Sequence, residues 1–98
     1  MTANILVVED EPAIQELLAL NIKQAGYNAL RSLSAEHAQQ LLRETLPDLI
    51  LLDWMLPGMS GIEYARRLKS DNLTKSIPII MLTARGDEYD KVRGLEVG

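Results

Sequence analysis

The chain has 98 residues, 47% hydrophobic and 24% charged, with a net charge of −4. These values suit one soluble globular domain with a modest core and exclude a disordered segment, and the acidic surplus argues against a nucleic-acid-binding surface on this domain. It contains no cysteine, which excludes a disulfide framework and a thiolate metal site.

The first apolar run, Ile5–Val8, is short, aliphatic and β-branched, and predicts a buried strand. No basic region precedes it, so it is not a signal peptide, and no run approaches membrane-spanning length; a cytoplasmic protein with no membrane contact is expected. Three acids follow, Glu9, Asp10 and Glu11, then Pro12, which is favoured in the first turn of a helix. The first helix is predicted over Pro12–Ala25, with Ile14, Leu17, Leu18, Ile22 and Ala25 on its inner face and Gly26 as its stop. A weaker strand is predicted over Tyr27–Arg31. Ser34 can cap a second helix over Ala35–Glu44, with Ala38, Leu41 and Leu42 facing inward.

Leu49–Leu52 is apolar on both faces and too short for a helix, so it predicts a central, fully buried strand. Asp53 falls where that strand leaves the sheet, and Pro57, Gly58 and Gly61 mark a loop. A third helix is predicted over Ile62–Lys69, with Ile62, Ala65 and Leu68 on one stripe. Pro78–Thr83 predicts a fourth strand, its proline at the tolerated first position. Asp87–Val97 predicts a fourth helix, weakened by Gly94, with Tyr89, Val92, Leu95 and Glu96 in phase.

This β-α alternation with short links predicts a parallel α/β sheet with helices on both faces and right-handed crossovers. The carboxyl ends of parallel strands share one edge, where open sheets place their ligand sites. Glu9, Asp10, Asp53 and Thr83 should meet there. Crowded carboxylates repel one another unless a cation compensates, and hard oxygen donors without His or Cys suit Mg²⁺. Asp10 and Asp53 are the expected direct ligands, Glu9 acts through water, and the Met55 backbone carbonyl is a further donor. An ordinary aspartate is ionised at neutral pH, so Asp53 needs no general base to attack phosphorus; it needs charge neutralisation and donors, for which Thr83 offers a hydroxyl. The product would be an aspartyl phosphate.

Taken singly, each residue has a plainer explanation. Asp10 or Glu11 can cap the first helix, Asp53 can form a turn, and Thr83 suits a strand. Their joint placement on one edge favours a site. His37 lies on a polar helix stretch and reads as solvated; Trp54 fits a loop anchor, a site cover, or both. Arg85, Lys91 and Arg93 read as a solvated helix face.

The segments ILVVEDE, LILLDWMLPGMSG and PIIMLTARG resemble the three signature stretches of bacterial response-regulator receiver domains, in order and at the right αβ spacing. Within that family, DWMLPGMSGIE and MLTARGDEYDKVRGLE are most similar to the phosphate-regulon regulators of the winged-helix OmpR/PhoB group. The resemblance covers nearly the whole chain. It implies a three-layer, flavodoxin-like αβα fold of strand order 2-1-3-4, preceding a fifth strand. It also implies Asp53 as acceptor of a phosphoryl group from a sensor histidine kinase, with Mg²⁺. Glu9 and Asp10 become the acidic metal pair, Thr83 the switch hydroxyl, and Met55 the residue whose carbonyl reaches the metal. The family's lysine-proline pair, fifth strand and fifth helix have no counterpart before Gly98, so these residues should be an incomplete receiver domain within a longer polypeptide. DNA binding would then belong to a C-terminal domain, and homodimerisation to the helix 4 face with Tyr89, Lys91 and Arg93. Without a fifth strand, the fourth would be an apolar edge.

Three other classes compete with this reading. An aspartate-nucleophile phosphatase of the haloacid-dehalogenase type wants a second Asp two residues on, where Met55 stands. A nucleotide- or flavin-binding domain wants a Gly- or Ser/Thr-rich phosphate loop after the first strand, where three acids stand instead. An interaction module with a dead phosphorylation site is the alternative that the absent lysine leaves open.

Overall fold

In the computed structural model, residues 2–82 are described. They form β1 (Asn4–Val8), α1 (Pro12–Gln24), β2 (Asn28–Ser32), α2 (Ala35–Glu44), β3 (Leu49–Asp53), α3 (Gly61–Ser70) and β4 (Ile79–Leu82). The predicted fourth helix, with Tyr89, Lys91 and Arg93, lies outside the described residues, as do Thr83 and Arg85. The sheet has four strands in the order β2-β1-β3-β4, every pair parallel. β1 and β3 are central, and their sequences are apolar in both directions because both faces are covered.

Side-chain alternation divides the core in two. Leu6, Val8, Ile50, Leu52, Ile79 and Met81 point to the face covered by Ala35 and Ala38 of α2 and Tyr64, Ala65 and Leu68 of α3. Ile5 and Val7 point the other way, onto Ile22 of α1, with Leu18, Leu49 and Leu51 half-buried around them. The helix ends follow local chemistry. Pro12 opens α1; Ser34 and Ser60 accept the backbone N–H of His37 and Glu63 to cap α2 and α3. α1 ends with Gly26 at φ +95°, the Gly26 N–H reaching the Lys23 carbonyl and the Tyr27 N–H the Ile22 carbonyl. This left-handed closure of the last turn suits glycine.

Two sequence expectations are corrected. Leu17 faces solvent, 59% exposed, as does Ala25, while Gln15 and Ala19 occupy the inner face with Ile22. Leucines at 17, 18 and 20 surround the helix, so apolar spacing alone does not choose the buried line. The second strand begins at Asn28, one residue later than expected, because Tyr27 completes the α1 closure.

Candidate functional site

β1 and β3 run side by side, with Val8 opposite Leu52, and the residue that follows each of these two is acidic. One carboxylate oxygen from each of Glu9, Asp10 and Asp53 lies within 4.8 Å of the other two. Glu9 and Asp53 are each only 1% exposed, and Asp10 is half-buried. The sequence expectation of an acid cluster at this edge is therefore met for all three side chains. β4 reaches the same edge, since Asp53 is in register with Leu82 and the Trp54 N–H donates to the Leu82 carbonyl at 3.0 Å. Thr83 follows immediately in sequence but lies outside the described residues.

The cluster holds more negative charge than the described protein groups balance. Burial pushes the Glu9 carboxyl up to about 7; the Glu11 N–H works against this, and the neighbouring charges of Asp53 and Asp10 add to it. That N–H reaches Glu9 Oε2 at 3.0 Å. Asp10 Oδ1 is buried and has no hydrogen-bond partner among the described residues. A buried carboxylate oxygen of this kind is costly unless a cation faces it. Three hard oxygen donors, one lacking a partner, fit Mg²⁺ or a similar divalent ion.

The β3–α3 loop closes over this edge. The Met55 N–H lies 3.4 Å from Asp53 Oδ1, and the Met55 side chain is exposed. Gly61 lies where an added Cβ would overlap the Asp53 carbonyl oxygen, and its N–H donates to the Trp54 carbonyl at 3.0 Å. Trp54 is half-buried and packs against the larger core cluster, which supports the anchor reading. α2 touches this loop and the end of β2: Glu36 Oε2 lies 3.4 Å from the Met59 N–H, and His37 Nδ1 lies 3.1 Å from Ser32 Oγ. His37 is thus exposed but not merely solvated. The cavity of about 340 Å³ between α2 and α3, bordered by Leu42, Leu46, Tyr64 and Leu73, shares no residue with the acid cluster.

The profile of the response regulator receiver domain matches residues 5–98. The chain belongs to this family. Among curated receiver-containing proteins, it is 56% identical over 94 residues to the phosphate regulon transcriptional regulatory protein PhoB of Pseudomonas aeruginosa, covering 96% of this chain and 41% of that one. It is 50% identical over all 98 residues to PhoB of Escherichia coli K12, covering 43% of that protein. The receiver chain thus spans about two fifths of the length of these relatives. Among solved structures, a putative response regulator from Chloroflexus aurantiacus superposes with a TM-score of 0.89 at 39% identity, covering 100% of this chain and 80% of the other. Vibrio cholerae chemotaxis protein CheY4 superposes with a TM-score of 0.85 at 26% identity, covering 100% and 82%. The flavodoxin-like fold and the PhoB-like character of the sequence are both established by these matches.

Proposed function

We propose that this receiver domain is a phosphorylation switch in which Asp53 is the phosphoacceptor. The observation that carries the reading is the convergence of Glu9, Asp10 and Asp53 at the carboxyl edge of the two central strands, two of them buried. Asp10 and Asp53 would hold Mg²⁺ directly, with the Met55 carbonyl, and Glu9 through water. Bound there, the ion would neutralise phosphoryl oxygens and leave the buried carboxylates compensated.

In the transfer step a carboxylate oxygen of Asp53 forms a bond to phosphorus as the phosphorus–nitrogen bond of a phosphohistidine breaks. The bond pair stays on the imidazole, which takes up a proton. The Met55 N–H, near Asp53 Oδ1, is placed to orient the nucleophile. Thr83, next after Leu82, would supply the hydroxyl that follows the phosphoryl group and passes the change to the rest of the domain. The donor would be a sensor histidine kinase. By likeness to the PhoB relatives, the complete protein would control transcription of phosphate-starvation genes in the cytoplasm, through a DNA-binding domain beyond Gly98 and a homodimer on the helix 4 face. Residues 1–98 would be the incomplete receiver portion, which takes part in its own phosphorylation without turning over a substrate.

Intact mass before and after incubation with Mg²⁺ and a small acyl phosphate tests the acceptor chemistry. One phosphoryl adduct is expected, dependent on Mg²⁺ and lost in Asp53→Asn. A folded full-length protein that gains none would contradict it.

A further inference from the structure

Gln15 is a polar residue on the buried face of α1, only 4% exposed, and takes no part in the chemistry above. Its side-chain amide spans two strand ends. Nε2 donates to the Glu9 carbonyl at 3.2 Å and to the Ser32 carbonyl at 2.7 Å. Oε1 accepts from Arg31 Nε at 3.1 Å. The Ser32 carbonyl also accepts the Glu9 N–H at 3.0 Å, so β1, β2 and α1 are tied at one point.

The amide has one orientation here. Rotated by half a turn, Oε1 would face two carbonyl oxygens and the NH₂ group would face a guanidinium, replacing three attractions with three repulsions. The Glu9 carbonyl belongs to the peptide that joins Glu9 to Asp10. Gln15 therefore holds the plane of the peptide between the two acids, and that plane sets where both side chains leave the backbone.

We propose that Gln15, oriented by Arg31, is a positioning residue for the Glu9–Asp10 acid pair and thereby sets the affinity of the cluster for a divalent cation. The inference rests on the reading of that cluster as a cation site. Outer partners that fix ligand orientation commonly change metal affinity by tenfold or more. Arg31 acts only through the amide, so its removal matters while Gln15 is present and not otherwise. The two roles open to Arg31 have opposite signs: loss of a nearby positive charge alone would tighten cation binding, whereas loss of orientation weakens it.

The test is an Mg²⁺ titration of the full-length protein followed by backbone amide shifts, which also report whether each variant is folded. Gln15→Met keeps the length and apolar packing but removes both donors; its Mg²⁺ dissociation constant should rise about tenfold. Arg31→Met, at an exposed position, should raise it about twofold, and should add nothing in the Gln15→Met background. A folded Gln15→Met with wild-type affinity overturns the proposal, as does an undiminished Arg31 effect in the double variant. If Gln15→Met does not fold, Arg31→Met decides alone: unchanged or tighter binding overturns the proposal, and weaker binding supports it. A wild-type protein whose amides do not respond to Mg²⁺ overturns the cation-site reading itself, a result distinct from the others.

Discussion

Single residues define the site by the burial of acidic groups side by side at the ends of β1 and β3. Glu9 shows it most directly, since burial and two acidic neighbours push its carboxyl from 4.5 to about 7. A carboxyl raised on folding binds more protons in the folded state than in the unfolded state. Its charged form is penalised, so stability falls as pH rises from about 4.5 to about 7 and levels off above. Glu9→Gln removes the ionisation while keeping an oxygen for the Glu11 N–H. Without divalent cations, the variant should gain stability over wild type by about 3 kcal/mol between pH 4.5 and pH 8, read from denaturant midpoints. Saturating Mg²⁺ should shrink that gain. A gap that stays constant with pH would show that Glu9 titrates like an exposed carboxyl.

At the scale of elements, the geometry of the site depends on where strands stop and helices begin. Gly61 opens α3 directly against the Asp53 carbonyl, so Gly61→Ala must push the helix away from the strand end. A loss of about 2–3 kcal/mol in unfolding free energy is expected, together with weaker Mg²⁺ binding. Ser34→Ala removes the acceptor that caps α2 and should cost about 1 kcal/mol with little effect on the cluster. Much at this scale was legible beforehand. Ile5–Val8 read as a buried strand and Leu49–Leu52 as a central one because both runs are apolar without alternation, and both strands are covered on their two faces; Ser34 announced α2 to the residue. The acids were legible because they follow buried strands. Gln15 was not: a buried amide answering two strand-end carbonyls leaves no apolar period, and the surrounding leucines drew the inner face to Leu17 instead. Tyr64 was also missed, although it is 1% exposed at the centre of the α2–α3 core, because a tyrosine between Glu63 and Ala65 does not lengthen an apolar stripe.

At the scale of the molecule, the sheet order β2-β1-β3-β4 brings the ends of β1, β3 and β4 to one edge, and core and site share the same strands. Cation binding must therefore stabilise the whole fold. At ten times the dissociation constant, Mg²⁺ should add about 1.4 kcal/mol to unfolding. Asp10→Asn should abolish that gain while making the cation-free protein more stable, since it relieves repulsion within the cluster. A thermal melt that responds to Mg²⁺ equally in wild type and Asp10→Asn would place the ion elsewhere. On the proposed mechanism, phosphoryl transfer ends on the Asp53 carboxylate. The most direct measurement is borohydride reduction of the protein after treatment with Mg²⁺ and an acyl phosphate, followed by peptide mapping. An aspartyl phosphate is reduced to homoserine, so homoserine is expected at position 53 and nowhere else. Homoserine at Asp10 or another carboxyl, or an unreduced Asp53 in a protein that carries phosphate, would contradict it.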